Sequence, residues 1–283
     1  MNCREQTPKA LLLSLLFAAA CTDQRMVVRG INIATASDQM PSLTASSSST
    51  LVNWPKPRGD KAVSTTIRVK GSLDGKMMRY FGTEDLGYND SDDHQPPLFE
   101  LADGATLSNV ILGAPAADGI HCNGSCTLNN VWWENVGEDA ATFRGKTDDS
   151  LMTINGGGAS RADEGVFKHN GRGTMIIKDF YVEWFGTLWR SCGNCKAQSK
   201  RHVVFENITA VAGPKSKSLA GLNVNYGDVV EFRGKNTLYD RNRQVKVCRK
   251  YDGNSSGLEP KEVGEGADTK NCLYDDTTVV IKH

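Results

Sequence analysis

A four-residue phrase recurs along this 283-residue chain: an apolar residue, a polar one, Asn or Asp, then another apolar residue. It stands at Leu107-Ser108-Asn109-Val110, Leu128-Asn129-Asn130-Val131, Ile177-Lys178-Asp179-Phe180 and Phe205-Glu206-Asn207-Ile208. The step from Leu107 to Leu128 is 21 positions, and that from Ile177 to Phe205 is 28. The 49 positions between Leu128 and Ile177 leave room for two turns, with Leu151–Ile154 as the intervening strand. Val229–Phe232 and Thr278–Ile281 continue the series. Self-similarity at a loose period of about 20–30 residues marks a solenoid. The strands are too short, and the chain too rich in Gly (28 residues), for stacked helical pairs. Stacked parallel coils satisfy the pattern, with one strand per coil turned inward and pairing edge-on with its neighbours. A β-sandwich, the competing architecture, would place strands every 8–12 residues or so. The expectation is therefore an all-β, single-domain parallel β-helix.

The series occupies residues 51–283. Ahead of it, Arg4 and Lys9 precede an apolar run from Ala10 to Ala20 that ends in small residues, the layout of an export signal over 1–20. The run is too short to span a bilayer, which needs about 20 apolar residues. Residues 21–50 end in the Ser/Thr-rich stretch Ser42–Thr50 and read as a leader or linker. Export places the chain outside the cell, where cysteines oxidise. Cys3 leaves with the signal, and Cys122, Cys126, Cys192, Cys195, Cys248 and Cys272 can form three disulfides, with Cys21 over. Cys122-x3-Cys126 with Cys192-x2-Cys195 also has the look of a four-thiolate zinc site, which an oxidising compartment disfavours.

Charge is balanced, 33 Lys+Arg against 33 Asp+Glu, so no global field selects nucleic acid or a membrane surface. Chemistry must come from local clusters. Asp118 lies 20 positions before Glu138 and 21 before Asp139, about one repeat. Stacked coils would bring the three carboxylates onto one face about 4.8 Å apart. Clustered carboxylates repel unless a cation joins them, and a hard cation such as Ca²⁺ prefers oxygen ligands; solvated turn acids are the plainer possibility. A second cluster is basic, with Arg190, Lys196, Lys200 and Arg201 within a dozen residues. Arg190, between Trp189 and Cys192, is the best placed to clamp a carboxylate. His121 and His169 could be ligands or bases, though a lone His is more often simply hydrogen-bonded in place.

Two blocks carry a family likeness. The run from Asp103 to Gly145, DGATLSNVILGAPAADGIHCNGSCTLNNVWWENVGEDAATFRG, and the run from Phe167 to Cys195, FKHNGRGTMIIKDFYVEWFGTLWRSCGNC, closely resemble the family-three polysaccharide lyases, extracellular pectate lyases. The resemblance runs from about Leu51 to the C-terminus and weakens after Arg241. It implies a single right-handed parallel β-helix and Ca²⁺ held by Asp118, Glu138 and Asp139. The implied substrate is de-esterified α-1,4-polygalacturonate, cleaved by β-elimination: a base removes the C5 proton and the glycosidic oxygen leaves from C4. Arg190 would meet the developing anion. An intrinsically strong base predicts activity rising toward about pH 9.

The sequence departs from the family at two basic positions. Gly165 stands where relatives carry the Lys favoured as base, and Thr187 where they carry a second basic residue. Three readings follow. Lys168 takes over, as base or as substrate-binding cation, although three positions along a regular strand reverse the face. Arg190 could act as base, against a very high pKa. Or the chain is a catalytically impaired relative that only binds pectin. The expected protein is a secreted monomer acting on cell-wall pectate, without a membrane span or nucleic-acid partner.

Overall fold

The computed structural model describes residues 52–87 and 95–283. The segments read as export signal and linker, with Cys3 and Cys21, lie outside them. From Trp54 onward the chain winds through coils whose strands pair in parallel with the coil before and the coil after. Three columns result. One stacks Ala105–Leu107, Cys126–Leu128, Met152–Ile154, Met175–Ile177, Val203–Phe205 and Val230–Phe232. The second stacks Val110–Leu112, Val131–Trp133, Gly157–Ala159, Tyr181–Glu183, Thr209–Val211 and Thr237–Tyr239. The third, which carries the chemistry, stacks Phe99–Leu101, Ile120–Cys122, Ala141–Phe143, Phe167–His169, Trp189–Ser191, Ser218–Asn223 and Lys246–Asp252.

The recurring phrase is the corner between the first two columns. Its first residue turns inward: Leu107, Leu128, Ile154, Ile177, Phe205 and Phe232 form one buried file, in register from coil to coil. Each such side chain contributes about 1.5–3 kcal/mol over exposure. Its third residue makes the turn with left-handed backbone: φ is 54° at Asn109, 53° at Asn130, 54° at Asp179 and 56° at Asn207. Asn and Asp tolerate that conformation better than other side-chain-bearing residues. Their amides also bond up the stack, Asn130 Nδ2 donating to Asn109 Oδ1 at 2.9 Å and Asn207 Nδ2 to Asp179 Oδ1 at 3.1 Å. Gly156 (φ 65°) and Gly234 (φ 62°) fill the same corner in two further coils.

The parallel β-helix expected from the sequence is the fold observed. The count of one strand per coil falls short, because each complete coil has three. Only the first corner carries a residue-type marker; the third column's strands are as short as three residues and read as loops from composition. Leu128 pairs with Ile154 and Ile154 with Ile177, so the two-turn interval holds. Late in the chain, Lys261–Glu265 folds back antiparallel on Lys246–Asp252. The six cysteines pair as Cys122–Cys126, Cys192–Cys195 and Cys248–Cys272, which leaves no four-thiolate zinc site. No helix among the described residues is long and apolar enough to cross a membrane.

Candidate active site

Outward side chains of the third column form a single file along the axis: Glu100, His121, Thr142, Lys168, Arg190, Gly221 and Arg249 are successive register partners. Beside this file, the turns that lead into Ile120–Cys122 and Ala141–Phe143 carry Asp118 and the pair Glu138–Asp139. Ile120 N–H donates to Ala140 O and Glu138 N–H to Ala117 O, locking one turn on the other. Gly119 permits this approach. Its φ is 51°, and a Cβ there would lie 2.2 Å from Ala140 O and 2.4 Å from Asp139 O. One carboxylate oxygen from each of the three acids falls within 4.8 Å of the others, and all three residues are buried.

Buried carboxylates this close resist ionisation. Burial first, then the neighbouring Asp139, pushes the Glu138 carboxyl up to about 9, and burial raises Asp139 as well. Two further groups pack on the cluster. His121 Nε2 lies 2.6 Å from Asp118 Oδ2 and 3.4 Å from Arg144 Nη2, its role as donor or acceptor set by the tautomer. Lys168 Nζ donates to Glu138 Oε1 at 3.0 Å and pairs with Asp139 Oδ2, also at 3.0 Å. Burial would lower the Lys168 pKa, but the two carboxylates outweigh it and hold the ammonium charged. Asp118 Oδ1 is buried without a hydrogen-bond partner. A cavity of about 270 Å³ opens onto this cluster. Thr142, Arg144, Asn170 and the Cys192–Cys195 bridge complete its walls.

Asp118, Glu138, Asp139 and Lys168 are thus brought together. The three-position shift from Gly165 to Lys168 does not reverse the face, because strict alternation breaks between them: Val166 and Phe167 are both fully buried. Gly165 lies against the same cluster, its missing Cβ 3.0 Å from Asp139 Oδ1. Arg190 follows Lys168 in the file but engages another partner. Its guanidinium carbon is 3.7 Å from the Tyr251 ring centroid, above Gly221, where a Cβ would meet the Arg190 Cδ at 2.8 Å. Burial lowers its pKa, and Nη1 is buried without a hydrogen-bond partner. Thr187 faces Ser218, the two hydroxyls 3.2 Å apart. Of the remaining basic cluster, Arg201 is fully buried and bonds the carbonyls of Asn170, Gly171 and Cys192, a structural role. His169 is buried between the Phe143 and Trp189 rings, away from any role as ligand. Sequence reasoning missed Arg144 and Tyr251. The register itself, two positions past Thr142 for Arg144, is the signal that could have found the first.

The family profile described as Pectate lyase matches residues 51–257. The chain is 40% identical over 225 residues to a probable pectate lyase D of Emericella nidulans, covering 78% of this chain and 82% of that one. It is 42% identical over 224 residues to pectate lyase H of the same organism, at the same coverages. Among solved structures, the catalytic domain of pectate lyase PelI from Erwinia chrysanthemi aligns with a TM-score of 0.66 at 33% identity, covering 79% of this chain and all of that one. PelI in complex with tetragalacturonic acid aligns at 0.62 and 32% identity, over 80% and 70%.

Proposed function

Given that the chain belongs to the pectate lyase family and is an enzyme of it, we propose that it is a secreted, Ca²⁺-dependent lyase cleaving de-esterified polygalacturonate by β-elimination. The observation that carries the reading is the convergence of Asp118, Glu138 and Asp139, three buried carboxylates with oxygens inside one 4.8 Å sphere. The fit to a hard divalent ion is good: the donors are all oxygen, Asp118 Oδ1 is buried with no hydrogen-bond partner, and Asp139 Oδ2 meets only the Lys168 ammonium. These three residues would hold Ca²⁺, which when bound supplies positive charge to a uronate carboxylate and so stabilises the anion that forms when the C5 proton leaves.

The chain's own cations do the rest. Lys168 and Arg144 line the cavity and meet the uronate carboxylates. Proton removal is assigned to Arg190. Lys168 is committed to two carboxylates, which keeps its lone pair protonated. Arg190 has an unpartnered Nη1, and its burial lowers the cost of the neutral guanidine. That neutral form is still scarce, so turnover rises with pH through the alkaline range.

With polygalacturonate as substrate, the expected product is an unsaturated uronide, read by its ultraviolet absorbance, and abolished by a chelator. Reducing ends released without that absorbance would mean hydrolysis and overturn the elimination. Product formed equally in chelator would overturn the metal.

A further inference from the structure

Across the next corner, between the second and third columns, lies a larger open groove of about 810 Å³. Its floor is unusual. Arg161 and Trp184 occupy equivalent places on adjacent coils, since Ser160 pairs with Glu183 and Ala162 with Phe185. Both have left-handed backbone, φ 58° and 52°. At the first corner that conformation falls to Asn, Asp or Gly in the coils described above, with Met77 (φ 58°) in the coil before them. Here it falls to an arginine and a tryptophan, residues ill suited to it. An outlier of this kind is a pointer to function.

The side chains are displayed. Trp184 is 52% exposed, and the Arg161 guanidinium carbon sits 5.8 Å from its ring centroid. Gly213 leaves the ring its room, because a Cβ there would lie 2.9 Å from Trp184 Cδ1. Lys215 and Lys217 stand on the rim, Lys215 paired with Asp163. Glu164 is the other acid lining the groove, and Arg161 and Lys217 are its remaining cations. The groove and the acidic cavity are lined by consecutive residues of the same turns. Gly137 lines the groove and Glu138 the cavity, while Glu164 lines the groove and Gly165 abuts Asp139.

A flat aromatic face beside cations suits a sugar ring that bears a carboxylate: the ring's apolar face stacks, and the carboxylate pairs with Arg161 or Lys217. We propose that this groove is a distal subsite for polygalacturonate, engaging uronate residues of the same chain that is cut at the acidic cavity. The proposal rests on the pectate reading of that cavity. Binding there adds affinity for long chains and leaves short ones untouched, as remote contacts do.

The test compares wild type, Trp184→Ala, Trp184→Phe and Lys217→Ala. Retardation in native gels cast with polygalacturonate reads binding without turnover. Steady-state rates on polygalacturonate and on trigalacturonate read its use. Trp184→Ala should lose roughly fivefold in affinity and in kcat/KM on the polymer, with trigalacturonate unchanged. Lys217→Ala should lose about twofold, and Trp184→Phe should keep most of the wild-type value. Equal losses on polymer and trimer, or none on the polymer, overturn the subsite. Absence of unsaturated product from wild type on any substrate would instead remove the lyase reading, while gel retardation would still judge the groove.

Discussion

The acidic cavity and the Trp184 groove are neighbours made in opposite ways. The cavity is about 270 Å³ and built from buried charge; the groove is three times that volume and built from exposed side chains on a costly backbone. In the cavity the cost is electrostatic: burial and mutual repulsion push Glu138 to about 9, and the arrangement persists because Lys168 offsets it. In the groove the cost is conformational, on the order of 1–2 kcal/mol for each left-handed residue. Both costs are met by the same columns of register-locked strands, which hold side chains where neither local charge nor local torsion would leave them.

The largest effect expected separates the two regions outright. Asp139→Ala removes one of the three proposed calcium ligands and leaves Lys168 facing Glu138 alone. Turnover should fall by roughly a thousandfold, with calcium affinity falling in parallel. Isothermal titration with Ca²⁺ beside the rate assay checks this. Retardation by polygalacturonate should survive, because the groove is intact; its loss would mean that binding resides wholly in the cavity.

Next comes Gly165→Lys, which supplies the basic group that the family resemblance leads one to expect at this position. A Cβ begins 3.0 Å from Asp139 Oδ1, so the carboxylate must yield a few tenths of an ångström and then gains an ammonium nearby. A well-placed base is worth about a hundredfold, and a gain of that order in kcat is expected, with a pH profile shifted toward neutrality. An unchanged profile would show that proton removal is already well served by Arg190.

Lys168→Gln should do less, and in the opposite sense for metal and for rate. The ammonium lies 3.0 Å from both acids, in the space between oxygens that a divalent ion would use. Removing one competing charge should raise calcium affinity by about tenfold. The chelated protein should lose stability, since Glu138 and Asp139 are then buried without a counter-charge. Melting curves in chelator and in calcium would diverge more than for wild type. Equal curves would return Lys168 to the role of an ordinary substrate-binding cation.

How much of this was readable in advance follows from where residue type marks geometry. The Asn/Asp phrase was legible because its third residue is selected by torsion, and it indexed the coils well enough to stack Asp118 on Glu138 and Asp139. The second and third columns were not, since strands such as Ile120–Cys122 and Ala141–Phe143 are three residues long and wholly buried, with no alternation to read. The face of Lys168 was misjudged for a related reason: two consecutive inward residues, Val166 and Phe167, break the period that the inference assumed. Arg190 follows Lys168 in the outward file, but its stacking on Tyr251 depends on a coil 61 positions later and leaves no local trace. Trp184 carried no sequence signal as a site, because the tension between side chain and backbone is visible only once φ is known.

That tension gives the smallest expected effect and the sharpest contrast. If Trp184 is held in the left-handed region for what its ring does, a residue that favours this torsion should stabilise the fold and impair the polymer. Trp184→Asn imitates the first corner, where Asn109, Asn130 and Asn207 sit at nearly the same φ. The ring is about half exposed, so only part of its surface is returned to water. Relief of backbone cost should dominate, adding about 1 kcal/mol, or a few degrees in Tm. Use of long chains should fall as it does for Trp184→Ala. A Tm that drops would show that the ring is part of the corner's own packing against Arg161 and Gly213, and that the torsion is tolerated for stability instead of for ligand.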